Sequence, residues 1–170
     1  MKHLLILSFI AFISACGTTE TAQTFPEKNN ESVKGIDKQC ADLVFARENN
    51  SIGQSNSGYF YAIAENAEAC LSGIRFSPKH PDNALGMQLQ ALAVTNYVKS
   101  GDINGAKQAF ESFRAKFPLQ DLVYADFTSF VDTATALLEK DSLSSHQLAM
   151  LNINDDLRAE IQRQKTWLRK

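Results

Sequence analysis

Apolar residues recur at helical spacing along most of this 170-residue chain, and no segment shows the sustained apolar–polar alternation typical of a β-strand. From residue 36 to residue 168 they return every three or four positions, so each stretch presents an apolar face to a core. Segments rich in Asn, Ser, Gly or Pro separate these stretches at 49–58, 77–81 and 100–102. The pattern predicts an all-α domain of about six or seven helices joined by short turns.

Two of the predicted helices have the same apolar register, and each ends near a proline. Ala67, Leu71 and Ile74 precede Pro78, and a second set with the same spacing follows 39 residues later. The second set consists of Ala106, Phe110, Phe113 and Phe117, followed by Pro118. An internal repeat of this length is typical of stacked helix pairs.

Residues 59–140 resemble the tetratricopeptide repeat, a helix pair of about 34 residues with aromatic, Gly, Ala and Pro residues at set positions. The matching residues are Tyr97, Gly101, Ala106, Phe110 and Pro118. Phe113 departs from the family, which usually has a small residue there. The next unit also departs, because no Gly ends its first helix, which is predicted over 123–140. A generic helical bundle is the alternative, since any packed α protein alternates small and large residues.

The tetratricopeptide resemblance implies a protein-binding function. In that family, the first helices of stacked pairs line a concave groove that holds a peptide or helix. The corresponding residues here are Gln88, Ala91, Thr95, Val98, Lys99, Ala125, Ser129, Asp132 and Thr133. They are mixed in polarity with few charges, and the net charge of the chain is −2, so a nucleic acid is not the expected ligand.

The start of the chain has the three parts of a secretory signal. A basic start precedes a run of ten residues at 4–13 that is apolar except for Ser8, and small residues precede Cys16. A run of this length is too short to span a bilayer, which needs about 20 residues. Residues 13–16 (ISAC) resemble the lipobox of bacterial lipoproteins, with Ile in place of the usual Leu. An ordinary secretory signal with an incidental Cys is the alternative.

The lipobox resemblance implies that residues 1–15 are removed as a signal peptide and that Cys16 carries the lipid anchor. Gly17 follows, where an Asp would be associated with the inner membrane, so the resemblance implies an outer-membrane protein facing the periplasm. Anchoring by two or more acyl chains is stable. Residues 16–34 are polar and are predicted to form a flexible tether, and residues 35–170 the helical domain.

Cys40 and Cys70 remain once Cys16 is assigned to the anchor. An even remainder in an oxidising compartment predicts a disulfide, and two buried free thiols are the alternative. The pair has no CxxC spacing and no neighbouring His, so we expect no metal site.

The sequence contains none of the motifs HExxH, GxSxG or a P-loop, and we expect neither catalysis nor a cofactor. His80 and His146 lack metal-ligand spacing and are predicted to lie on the surface. Asp155 and Asp156 are predicted to begin the last helix, where carboxylates favour the helix dipole.

The C-terminal residues 158–170 contain five basic residues and one Glu, with Trp167 and Leu168 as an apolar edge. One interpretation is contact with anionic lipid or an acidic partner. The other is a final helix whose basic end suits the dipole.

Together these features predict a lipid-anchored, protein-binding adaptor or assembly factor for an envelope machine such as a pilus or secretion system. The alternatives are a small envelope enzyme or regulator of a peptidoglycan enzyme, and a structural membrane-associated lipoprotein.

Overall fold

The computed structural model describes residues 33–168. They form seven helices: α1 (Lys38–Asn49), α2 (Ser57–Cys70), α3 (Asn83–Ser100), α4 (Ile103–Lys116), α5 (Phe130–Leu138), α6 (Ser145–Met150) and α7 (Asp155–Leu168). Extended pairing within 33–168 is limited to an isolated antiparallel bridge between Val123 and Ser129. The prediction of an all-α domain with six or seven helices is confirmed. The predicted signal peptide, Cys16 and most of the predicted tether lie outside the described residues.

The first four helices pack in chain order, with α3 between α2 and α4 and with α1 against α2. Small residues at the contacts, such as Ala64 and Ala67 on α2 and Ala93 on α3, are fully buried and let the helices approach closely. Each helix therefore packs on its neighbour in sequence, as the prediction of stacked antiparallel helix pairs requires. Among the described helices, none has the length and apolar character needed to cross a membrane.

Buried polar side chains of α3 tie it to the helices on both sides. The Tyr97 hydroxyl lies 3.0 Å from Glu65 Oε1 and 2.9 Å from Glu68 Oε2 on α2. Gln90 is fully buried and accepts a hydrogen bond of 2.7 Å from Lys116 Nζ on α4. Burial raises the pKa of Tyr97 and lowers that of Lys116. These bonds fix the orientation of α3 about its own axis. That orientation determines which face of the helix is left without a neighbouring helix.

The prediction of a helix over 123–140 is wrong for its first part, because α5 begins only at Phe130. Phe127 has φ 63°, in the left-handed region that no α-helix uses. Asp126 Oδ1 accepts hydrogen bonds from both the amide and the hydroxyl of Thr128. Asp121 likewise accepts from Ser129 Oγ and from the Val131 amide. Such local side-chain bonds compete with helix formation and hold residues 119–129 as a turn.

Phe113 explains one departure from the tetratricopeptide pattern. Its ring is fully buried, with its centroid 4.7 Å from that of Phe130 at the start of α5 and 5.3 Å from that of Phe117. A small residue at 113 would leave this space empty. The large residue is thus required by the way in which α5 packs on α4.

The chain enters the domain through a clasp formed by residues 34–36 and the loop before α3. Asp82 stands at the N-cap position of α3, but its side chain does not cap the helix, because its Oδ2 accepts a 2.9 Å hydrogen bond from the Ile36 amide. Gly35 permits this approach, because a Cβ there would lie 2.9 Å from the same oxygen. Lys34 Nζ also donates to the Ser72 carbonyl at 3.0 Å.

His80 belongs to the same clasp, and the prediction that it lies on the surface is wrong. It is 5% exposed, with its ring 4.9 Å from that of Phe76. Its Nδ1 accepts from the Asp82 amide at 3.1 Å, and its Nε2 lies 3.3 Å from the Lys34 carbonyl oxygen. Packing and hydrogen bonds of this kind indicate a structural role. His146 is exposed, as predicted.

The last two helices enclose a second, smaller core around Leu148, Ile153 and Ile161. Arg158 donates to three main-chain carbonyls, of Leu148, Leu151 and Ile153, which closes the turn between α6 and α7. In the same helix Arg163 pairs with Glu160, and Lys165 donates to the Leu143 carbonyl. Asp155 and Asp156 lie in the first turn of α7, as predicted. The described basic side chains therefore bond within the domain, which favours the interpretation as a final packed helix.

Candidate binding groove

An open groove of about 440 Å³ lies along one face of α3. Three parts of the chain form its walls: α3, the C-terminal half of α1 and the segment 122–124. From α3 it is lined by Gln88, Ala91, Leu92, Thr95 and Lys99, which share one helix face. From the other two walls it is lined by Phe45, Glu48, Asn49, Leu122, Val123 and Tyr124.

Four of the nine residues that the tetratricopeptide resemblance assigned to ligand contact meet in this groove. They are Gln88, Ala91, Thr95 and Lys99. Val98 does not line it, because it packs instead against the main core. The face of α3 expected to be open is therefore the face that borders the groove.

The other four predicted groove residues lie outside it, because the helix face to which they were assigned does not exist. Ala125 is exposed in the turn before α5. Ser129 caps α5 by accepting from the Asp132 amide, and Asp132 in turn accepts from the Asn152 amide at 2.7 Å. Thr133 bonds back to the Ser129 carbonyl. Ser129, Asp132 and Thr133 thus hold the start of α5 and the segment after α6.

The floor and walls of the groove are mainly apolar. Ala91 is buried at the floor, and Phe45, Leu92 and Leu122 are partly buried around it. Covering apolar surface of this kind is worth about 25 cal/mol per Å². The arrangement can therefore hold apolar side chains of a ligand, while Gln88, Asn49 and Thr95 offer polar groups around them.

The two charges in the groove neutralise each other. Lys99 Nζ donates to Glu48 Oε1 at 2.7 Å, and it also lies 5.5 Å from the centre of the Phe60 ring. Glu48 Oε2 accepts from the fully buried Asn96 Nδ2 at 2.8 Å. Because Glu48 has both oxygens bonded and Lys99 is paired, the described lining residues of the groove offer no unpaired charge to attract a charged ligand.

Tyr124 forms part of the groove wall, and its phenol is perturbed. Burial raises its pKa to about 12, with the negative charges of Asp121 and Asp126 adding to the effect. The hydroxyl therefore stays neutral in the folded protein over a range of pH in which a free tyrosine ionises.

The raised pKa of Tyr124 is expected to appear in the pH dependence of the free energy of unfolding. Tyr124 contributes stability that is fully present below the unfolded pKa of about 10 and is lost as the pH rises through about 12. Between pH 9 and pH 11 the wild type should therefore lose more free energy of unfolding than Tyr124→Phe, by on the order of 1 kcal/mol. Urea titrations at both pH values measure the difference, and identical pH dependence in the two proteins would contradict it.

A disulfide joins Cys40 on α1 to Cys70 at the end of α2, with their Cα atoms 5.7 Å apart. It holds α1, and with it one wall of the groove, against α2.

Among residues 33–168, no three His, Cys, Asp or Glu side chains are grouped so that they could bind a metal ion.

The groove residues that sequence reasoning missed come from α1 and from 122–124. Glu48 and Lys99 are 51 positions apart, and no motif relates them.

No family model, curated protein or solved structure matches the chain.

Proposed function

We propose that this chain is a lipid-anchored adaptor of a bacterial envelope that holds a segment of a partner protein in the groove on α3. The observation that carries the proposal is the groove itself, which is apolar inside, internally neutralised in charge and bordered by polar side chains. Such a surface suits a peptide segment better than a nucleic acid or a charged small molecule.

The tetratricopeptide resemblance supports the same assignment, because four of the residues that it assigns to ligand contact line the groove: Gln88, Ala91, Thr95 and Lys99. The lipobox resemblance at residues 13–16 supports anchoring through Cys16 and an outer-membrane protein that faces the periplasm. On this proposal the partner is a component of an envelope machine, and the adaptor keeps it at the membrane.

Thr95→Arg is the sharpest test of the groove. Among residues 33–168, Thr95 Oγ1 bonds to the Ala91 and Leu92 carbonyls of its own helix, so the substitution breaks no hydrogen bond between helices. The arginine places bulk and an unpaired charge in the groove, and we expect partner binding to fall at least tenfold. The control is Gln108→Arg, the same new side chain at an exposed position of α4 outside the groove, which should leave binding within about twofold.

The measurement is photocrosslinking in native membranes with a photoreactive residue at Gln88, which is exposed at the edge of the groove. One dominant protein product should form with the wild type and with Gln108→Arg, and should be lost with Thr95→Arg. Equal crosslinking in all three proteins, or none from Gln88 in the wild type, would remove the adaptor proposal.

A further inference from the structure

Val123, at the edge of the groove, has a main-chain amide and carbonyl that make no hydrogen bond within the part of the chain that the structure describes. It pairs with Ser129 in the antiparallel bridge, but through its neighbours: the Phe130 amide donates to the Leu122 carbonyl, and the Tyr124 amide donates to the Thr128 carbonyl, both at 2.9 Å. In this type of pair, the amide and carbonyl of the central residue point away from the partner strand.

The opposite side of the bridge is already occupied. The Ser129 amide donates to the Asn152 carbonyl at 2.9 Å, so the next strand position on that side is filled. On the Val123 side, neither its amide nor its carbonyl has a hydrogen-bond partner among residues 33–168. Val123 itself is 61% exposed and lines the groove. A short free strand edge therefore borders an apolar groove.

We propose that the groove binds its partner as an extended peptide, which pairs with the main chain of Val123 as an added strand. This inference rests on the proposed function and specifies the form of the ligand. A strand alternates its side chains, so residues two positions apart on one face would enter the groove, while the intervening residue faces solvent.

The free main-chain groups favour an extended peptide over a helix. A helix in the groove would leave the Val123 amide and carbonyl unpaired beneath it, because its own main-chain groups are bonded internally.

The charges define the chemistry of the peptide. Glu48 and Lys99 bond to each other at 2.7 Å, so a charged side chain entering the groove would be desolvated without a partner. The ligand is therefore an extended segment with uncharged apolar residues at alternate positions. A segment of this kind is recognised by main-chain bonds for affinity and by pockets for specificity.

The probe for the test is a phage-displayed library of random 12-residue peptides, selected on the full-length protein in detergent. Peptides that bind the wild type and lose binding to Thr95→Arg define the groove-dependent set. Their affinities are then measured for Val123→Pro, which removes the amide donor, and for Val123→Thr, which keeps it with a side chain of similar shape. Because the Val123 amide has no partner within the described residues, the proline breaks no bond of the fold.

We expect Val123→Pro to weaken binding about tenfold, because the peptide carbonyl loses its donor on burial, and Val123→Thr to stay within about twofold. N-methylation of the peptide, one residue at a time, tests the same bonds without altering the protein. It should weaken binding at the one position whose amide donates to the Val123 carbonyl and leave binding within about twofold at both neighbouring positions, as pairing with a single edge residue requires.

Equal affinity for Val123→Pro and Val123→Thr, together with an N-methyl series in which no single position weakens binding, would overturn the strand inference and leave the groove as a binding site. A library without any Thr95-dependent peptide would also overturn it. In that case the crosslinking experiment at Gln88, which does not depend on the library, still tests whether the groove holds a partner protein. If Val123→Pro fails to fold by circular dichroism, the N-methyl series alone decides.

Discussion

Replacing Phe130 with alanine is expected to lower the free energy of unfolding by about 3–5 kcal/mol. The Phe130 side chain is 0% exposed, and its ring centroid lies 4.7 Å from that of Phe113, 6.0 Å from that of Phe110 and 6.5 Å from that of Tyr124. Removing the ring leaves a cavity among three aromatic side chains that belong to α4 and to the groove wall. Such close-packed surroundings relax only partly, so the cost exceeds the transfer free energy of the ring alone.

The matched control is Phe127→Ala, the same substitution three residues earlier. Phe127 is 81% exposed, so its loss should change the free energy of unfolding by no more than about 0.5 kcal/mol. Urea denaturation of the two variants and the wild type provides the comparison. Similar losses for both variants would mean that the aromatic cluster does not hold α5 in place.

Removing the disulfide is expected to cost about 3–4 kcal/mol of stability. The bond between Cys40 and Cys70 closes a loop with a sequence separation of 30, and the chain-entropy model gives a value in this range. Apart from the disulfide, α1 is held by its buried Ala41 and Val44 side chains and by polar contacts, such as that of Tyr59 with the Arg47 carbonyl. Since α1 provides Phe45, Glu48 and Asn49, the loss should also weaken binding in the groove.

The double variant Cys40→Ala with Cys70→Ala tests this by urea denaturation. A reductant should destabilise the wild type by a similar amount and leave the stability of the double variant unchanged. The double variant therefore controls for any effect of the reductant other than reduction of the disulfide. Neither Cys40 nor Cys70 in denatured but unreduced wild type should react with a thiol reagent. Two reactive thiols would show that the cysteines are simply buried side chains.

Helices α1–α4 could be predicted because each has an apolar face and ends at residues that stop helices. Gly101, for example, has φ 85° at the end of α3, a conformation that glycine adopts without strain. Even there, the spacing misleads at one residue: Leu43 has helical spacing with Ile36 and Cys40 but is 66% exposed. Periodicity identifies helices better than it identifies which residues of a helix are buried.

The segment before α5 could not be predicted, because Val123, Phe127 and Phe130 fit helical spacing by coincidence. What decides their conformation is the set of hydrogen bonds accepted by Asp121 and Asp126, which favour a turn. The groove was predictable on α3 alone, where the repeat pattern indicated an open face. Its other walls depend on how α1 and residues 122–124 pack across the fold, which no local pattern records.

The clasp at residues 34–36 determines where a mechanical load would enter the domain. If the chain is anchored at Cys16, as we propose, a pull directed from the membrane first stretches the bonds from Lys34 to Ser72 and from Ile36 to Asp82. These bonds lead to the loops on either side of Phe76, which precede α3, and bypass α1. The load therefore passes to the start of α3, which packs between α2 and α4, and it reaches α1 only after these bonds break.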